Sequence, residues 1–139
     1  MAKLYGNYGP VARPWAEIAR FYSTLKSPAS GPMKTFVREL VKSPYPEAGL
    51  QGLTSMADLV LGMNPSILDA PNLRIRYLFD AGNFLFTYPS GGIEHPERGA
   101  KWVRVVPAEE AFSVLERFLI KRVRWFRDRR PVKASGSYL

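Results

Sequence analysis

Two β-rich runs joined by turn chemistry constrain this chain more than anything else in it. Leu73-Arg74-Ile75-Arg76-Tyr77-Leu78-Phe79 alternates apolar and basic residues before becoming continuously apolar. Asp80-Ala81-Gly82-Asn83 supplies turn residues, and Phe84-Leu85-Phe86-Thr87-Tyr88 resumes the extended pattern. Two such runs around a glycine-containing turn predict an antiparallel hairpin. Its apolar positions need a covering layer, so the chain must pair further strands with helices.

The clearest helix lies upstream. Ser27-Pro28-Ala29-Ser30-Gly31-Pro32 reads as a loop ending in a helix start, with Ser30 or Gly31 as cap and Pro32 near the first position. Met33, Phe36, Val37, Leu40 and Val41 then fall on one apolar stripe at helical spacing. Ser43-Pro44-Tyr45-Pro46 stops it. Ala16 to Leu25 and Met56 to Met63 are too short for periodicity to choose between strand and helix. Trp102-Val103-Arg104-Val105-Val106 reads as a further strand. Pro107 opens a long helix, with Glu109 and Glu110 in its first turn and cations crowding its last. Ala111 or Phe112, Leu115, Phe118 or Leu119, Val123 and Phe126 supply its inward face. The expected architecture is a small mixed β-sheet with covering helices. It divides into an extended arm over residues 1–14, a body over 15–120 and a basic tail over 121–139.

Composition narrows the chemistry. The chain has no cysteine and only one histidine, His95. Disulfides, thiolate metal sites, cysteine nucleophiles and dithiol redox chemistry are excluded. A zinc site would have to rest on carboxylates, a poor ligand set for that ion. No apolar run reaches the roughly 18 to 20 residues of a membrane span, and no apolar segment follows Met1-Ala2-Lys3 as a secretory signal requires.

Charge is distributed unevenly. The net charge is +8, and Arg117, Lys121, Arg122, Arg124, Arg127, Arg129, Arg130 and Lys133 are opposed locally only by Asp128. Nearly the whole excess therefore sits near the C-terminal end, the footprint of a polyanionic partner or of a merely solvated helix end. Arg dominates the cluster, and its planar fork clamps phosphate and stacks on bases, so RNA is the expected partner. Trp125, within Arg124-Trp125-Phe126-Arg127, is a candidate for stacking on an exposed base.

Other motifs are weaker. Glu94, His95 and Glu97 suggest an acid-base cluster, although a lone histidine between glycine and proline reads more simply as a surface residue. Ser90-Gly91-Gly92 resembles part of a phosphate cradle but lacks the lysine and helix that a P-loop needs. Asp58, Asp69 and Asp80 fall on different elements and form no acidic cluster for a hard cation. A small nuclease or toxin built on His95 is the least supported reading.

Taken together, the segment Ser27 to Val37, the hairpin Pro71 to Tyr88 with Asp80-Ala81-Gly82, and the helix Pro107 to Leu119 followed by Arg-rich sequence resemble a thioredoxin-like family. That family is shared by mitochondrial ribosomal proteins of both subunits and by a small accessory subunit of respiratory complex I. The resemblance spans roughly residues 18–120. It departs from the family at the longer loop Pro89 to Ala100 and at Leu50 to Asp69. It implies a thioredoxin-like α/β body with no enzymatic activity, no cofactor and no bound metal, in the mitochondrial matrix and without an obvious cleaved presequence. The expected partners are ribosomal RNA, contacted by the tail, and neighbouring ribosomal proteins. The alternative that the resemblance implies is a non-catalytic complex I subunit touching only protein.

Overall fold

The computed structural model describes residues 11–27, 30–127 and 130–131. Two helices come first, α1 (Trp15–Thr24) and α2 (Ser30–Lys42). Five strands follow: β1 (Gln51–Ser55), β2 (Asp58–Gly62), β3 (Leu73–Leu78), β4 (Asn83–Tyr88) and β5 (Trp102–Pro107). A 3-10 turn (Ala108–Glu110) leads into α3 (Ala111–Arg117), which a π-helical turn (Phe118–Arg122) continues. A short pair, β6 (Phe126–Arg127) with β7 (Arg130–Pro131), ends the described chain.

The fold is mixed α/β, but the sheet is not the mixed one expected. Its order is β1-β2-β3-β4-β5 and every neighbouring pair is antiparallel. The reason is local. Residues 15–24 form a helix, and 51–62 fold as a hairpin around Met56, which takes a positive φ of 59°. With each strand following its neighbour, no crossover exists among the described residues to make a parallel pair.

The predicted hairpin is β3–β4, with Ile75 opposite Phe86 and Tyr77 opposite Phe84. Gly82, at φ 70°, donates its N–H to the Leu78 carbonyl at 2.8 Å and closes the turn. On α2, Met33, Phe36, Val37 and Leu40 are buried as the stripe requires, while Val41 sits at its exposed margin. The Phe36 ring meets Phe84, Phe86 and Phe112 at centroid distances of 5.3, 6.2 and 6.3 Å. Helices and inner sheet face thus share one core. Leu53, Val60 and Ile67 form a smaller cluster on the outer face.

Gly52 marks the closest approach between α1 and the sheet. A Cβ there would lie 2.7 Å from Trp15 Cη2 and 3.2 Å from Ile18 Cδ1. Trp15 cannot easily yield, because its indole N–H donates to the Leu50 carbonyl at 3.0 Å. Gly52→Ala is therefore expected to destabilise by about 1–3 kcal/mol through overpacking. Urea denaturation checks this, and an unchanged midpoint would mean that Trp15 is not seated against β1.

The last helix is shorter than the cation-rich sequence predicts. The Val123 N–H donates to the Phe118 carbonyl at 2.9 Å, a π-type bond, and Arg124 then takes φ 58°, which reverses the chain. Phe126 is buried as expected, but from an extended segment packed 5.0 Å from the Tyr45 ring. Tyr45 in turn donates its hydroxyl to Glu116 Oε2 at 2.8 Å, tying the segment after α2 to α3. Residues 121–127 accordingly lie against the body.

Candidate nucleic-acid interface

β5 is an edge strand of the sheet, and its alternation aims Trp102, Arg104 and Val106 to the side that carries Tyr88, Phe86 and Phe84. Trp102 and Val106 are buried there, whereas Arg104 between them is exposed. Across from them, Val114, Arg117, Phe118, Lys121 and Arg122 recur at i, i+3, i+4, i+7 and i+8, one stripe of the helical segment. Its apolar members are buried, and its cations are left exposed at the rim. The Phe118 ring lies 4.7 Å from Trp102 and fixes the separation of helix and strand.

The result is a cleft of about 430 Å³ between β5 and the helix, floored by Trp102, Val114 and Phe118. Arg104, Arg117, Lys121 and Arg122 line it. The Arg104 and Arg122 guanidinium carbons stand 5.3 and 6.0 Å from the Trp102 ring centroid. At that range the indole face attracts a cation. None of the four cations forms an ion pair among the described residues. Four positive charges thus share one concavity with no carboxylate among its described lining residues, an arrangement suited to phosphate.

Of the residues expected to contact RNA, Arg117, Lys121 and Arg122 come together in this cleft. Arg124 and Arg127 are exposed but line no part of it. Trp125 is half-buried, its ring edge-on to Tyr88 at 5.9 Å and to Phe118 at 6.1 Å, so its contacts are with the body. Arg130 enters as backbone opposite Arg127, and Arg129 and Lys133 lie outside the described residues. Sequence reasoning missed Arg104. Its two-residue offset from Trp102 within a strand was the available signal.

The remaining candidates find ordinary roles. His95 Nδ1 lies 3.8 Å from Glu97 Oε2, with both side chains about half exposed. Ser90 Oγ accepts from Arg74 Nε at 3.2 Å and from the Gly92 N–H at 3.1 Å, so the Ser-Gly-Gly turn uses its hydroxyl to hold its own loop. Asp58 is buried and accepts from Arg74 Nη1 at 2.9 Å and Arg76 Nη2 at 2.8 Å. Arg76 also donates to the Ile93 carbonyl, and its hydrogen bonds with Asp58 raise its pKa further. Nearby, Tyr22 donates to the Ala57 carbonyl at 3.1 Å. Burial, with a smaller contribution from the Asp58 charge, pushes its phenol well above the usual range. Asp69 and Asp80 are exposed on separate turns. Among the described residues, no group of three or more His, Cys, Asp or Glu is placed to hold a metal ion.

Against protein-family models, curated proteins and solved structures, the chain has no match.

Proposed function

We propose that this chain is a non-catalytic RNA-binding protein that grips the phosphate backbone through the cleft between β5 and α3. The observation that carries this reading is the convergence of Arg104, Arg117, Lys121 and Arg122 on one concavity with no opposing carboxylate among the described residues. Unpaired cations around an apolar floor keep their donors free for phosphate oxygens. Arg124 and Arg127 extend the positive surface beyond the cleft. The assembly we propose is the mitochondrial ribosome, with the chain as a structural component in the matrix. That part rests on the resemblance of the α2 segment, the hairpin and the last helix. The thioredoxin-like body belongs to the same proposal, and the antiparallel sheet lends it no support.

An accessory subunit of complex I is the second reading, and one observation favours it. Val103 and Val105 are 45% and 53% exposed on the outer face of edge strand β5, a surface that suits a protein neighbour. Sedimentation of native extract at low and high salt separates the two. Migration with ribosomal particles supports the first reading, and migration with a membrane complex the second.

Binding through phosphate also sets a salt dependence. Three to four contacts on a single strand give a log-log slope of about −2 to −3, so affinity is expected to fall about twenty- to fiftyfold between roughly 50 and 200 mM salt. Filter binding to ribosomal RNA measures this. A slope shallower than about −1 would remove phosphate neutralisation as the mode of binding.

A further inference from the structure

The cleft is not a flat basic surface, and its shape narrows the kind of RNA it fits. A duplex presents phosphates along a regular convex ridge and hides the faces of its bases, so cations that read it lie spread over the protein surface. Here Arg104, Arg117, Lys121 and Arg122 instead surround one depression of about 430 Å³. That volume falls within the roughly 300–1,000 Å³ of clefts that enclose a small ligand.

The floor supplies the second half of the argument. Trp102 is 8% exposed, and Phe118 packs 4.7 Å away. The indole therefore serves as a rigid base plate beneath Arg104, whose guanidinium carbon stands 5.3 Å from its ring. Arg104 itself is exposed. A guanidinium backed by an aromatic ring on one side offers its other side to a base, and unpaired bases in RNA stack on such planes. Arg117, Lys121 and Arg122 remain for the phosphates of the same strand.

We infer that the β5–α3 cleft receives one unpaired nucleotide of an RNA strand, its base stacked on Arg104 and the phosphates along the strand on either side of it held by Arg117, Lys121 and Arg122. This rests on the RNA-binding reading above and specifies single-stranded RNA as the ligand. Trp102 is a positioning residue, acting through the plane of Arg104.

The test uses the full chain and two labelled probes, a single-stranded oligouridylate and a blunt RNA duplex of equal length, followed by fluorescence anisotropy. The single strand is expected to bind at least about tenfold tighter than the duplex. Arg104→Lys keeps the charge and, being on an exposed side chain, spares the fold; it removes only the planar group. It is expected to lower single-strand affinity about fivefold. Trp102→Phe keeps an aromatic floor and is expected to bind at an intermediate level. Uridine monophosphate should displace the strand only at concentrations far above those of the oligonucleotide itself.

Equal affinity for strand and duplex, or an Arg104→Lys chain that binds as the wild type does, would overturn the inference while leaving RNA binding intact. Displacement by the mononucleotide at concentrations comparable to the oligonucleotide would make the cleft a free-nucleotide site and overturn the assignment to an RNA strand. Failure to bind either RNA would instead remove the reading on which the inference rests.

Discussion

Replacing Arg104, Arg117, Lys121 and Arg122 together by Gln is expected to lower RNA affinity about a thousandfold. A cation beside an anionic surface contributes about 1 kcal/mol, so four removed together cost about 4 kcal/mol, or three powers of ten. The loss should be seen on every RNA, because phosphate contacts position a protein and carry no sequence information. Stability should not fall with it. None of the four forms an ion pair among the described residues, and removing like charges from one cleft relieves their repulsion. The variant also gives up the Arg104 and Arg122 contacts with the Trp102 ring, which offsets that relief, so its Tm is expected to stay close to that of the wild type. A companion variant, Arg124→Gln with Arg127→Gln, removes exposed cations outside the cleft and should cost only about tenfold, roughly 0.7 kcal/mol for each charge lost. Affinity measured for both variants under one salt condition apportions binding between cleft and flanking surface. If the companion loses more than the fourfold variant, the flanking cations carry the interaction and the cleft does not.

How much of this was visible in the sequence depends on the range of the interactions involved. The β3–β4 hairpin and α2 were legible because a turn signal and a periodic stripe are written in consecutive residues. α1 was ambiguous because ten residues hold fewer than three helical turns, and Ile18 and Tyr22 are its only fully buried positions. The last helix ends earlier than its spacing predicts for a different reason. Val123 and Phe126 continue the apolar spacing, and nothing in Arg122-Val123-Arg124 announces a π-type bond followed by a left-handed residue. Three of the four cleft cations are legible, since Arg117, Lys121 and Arg122 stand in a visible cluster of charge. Arg104 stands alone in its strand, and only the β4–β5 pairing brings it to the same concavity. The hardest feature to foresee lay on β3. Its alternation of apolar and basic residues reads as one buried and one solvated face, yet Arg74 is 2% exposed. Its partner, Asp58, arrives from β2 by a register that no local pattern encodes.

That pair carries the largest expected effect on stability. Asp58→Ala is expected to destabilise the protein by about 3–5 kcal/mol, the usual cost of stranding one member of a buried ion pair. Asp58 and Arg74 side chains are 6% and 3% exposed, so water cannot replace the missing carboxylate without opening the sheet. Arg74 would keep only Ser90 Oγ, at 3.2 Å, as a side-chain acceptor. Arg76 is one-quarter to one-third exposed and retains the Ile93 carbonyl, so it contributes less to the loss. The damage should spread to the 89–99 loop, because Ser90 and Ile93 are the points at which the two arginines hold it. That loop delivers the chain to β5, and the Lys101 N–H bonds to the Tyr88 carbonyl at 2.9 Å just before Trp102. An Asp58→Ala chain should therefore bind RNA more weakly even where it remains folded, since β5 carries Trp102 and Arg104. Urea denaturation measures the first effect, through a lower midpoint at unchanged slope. A second substitution separates charge from packing. Adding Arg74→Met removes the stranded cation and is expected to recover at least half of the loss, because a buried pair replaced by apolar groups is often near neutral. A cost below about 1 kcal/mol for Asp58→Ala would mean the network is open to water. No recovery in the double variant would show that the loss came from packing and not from the unpaired charge.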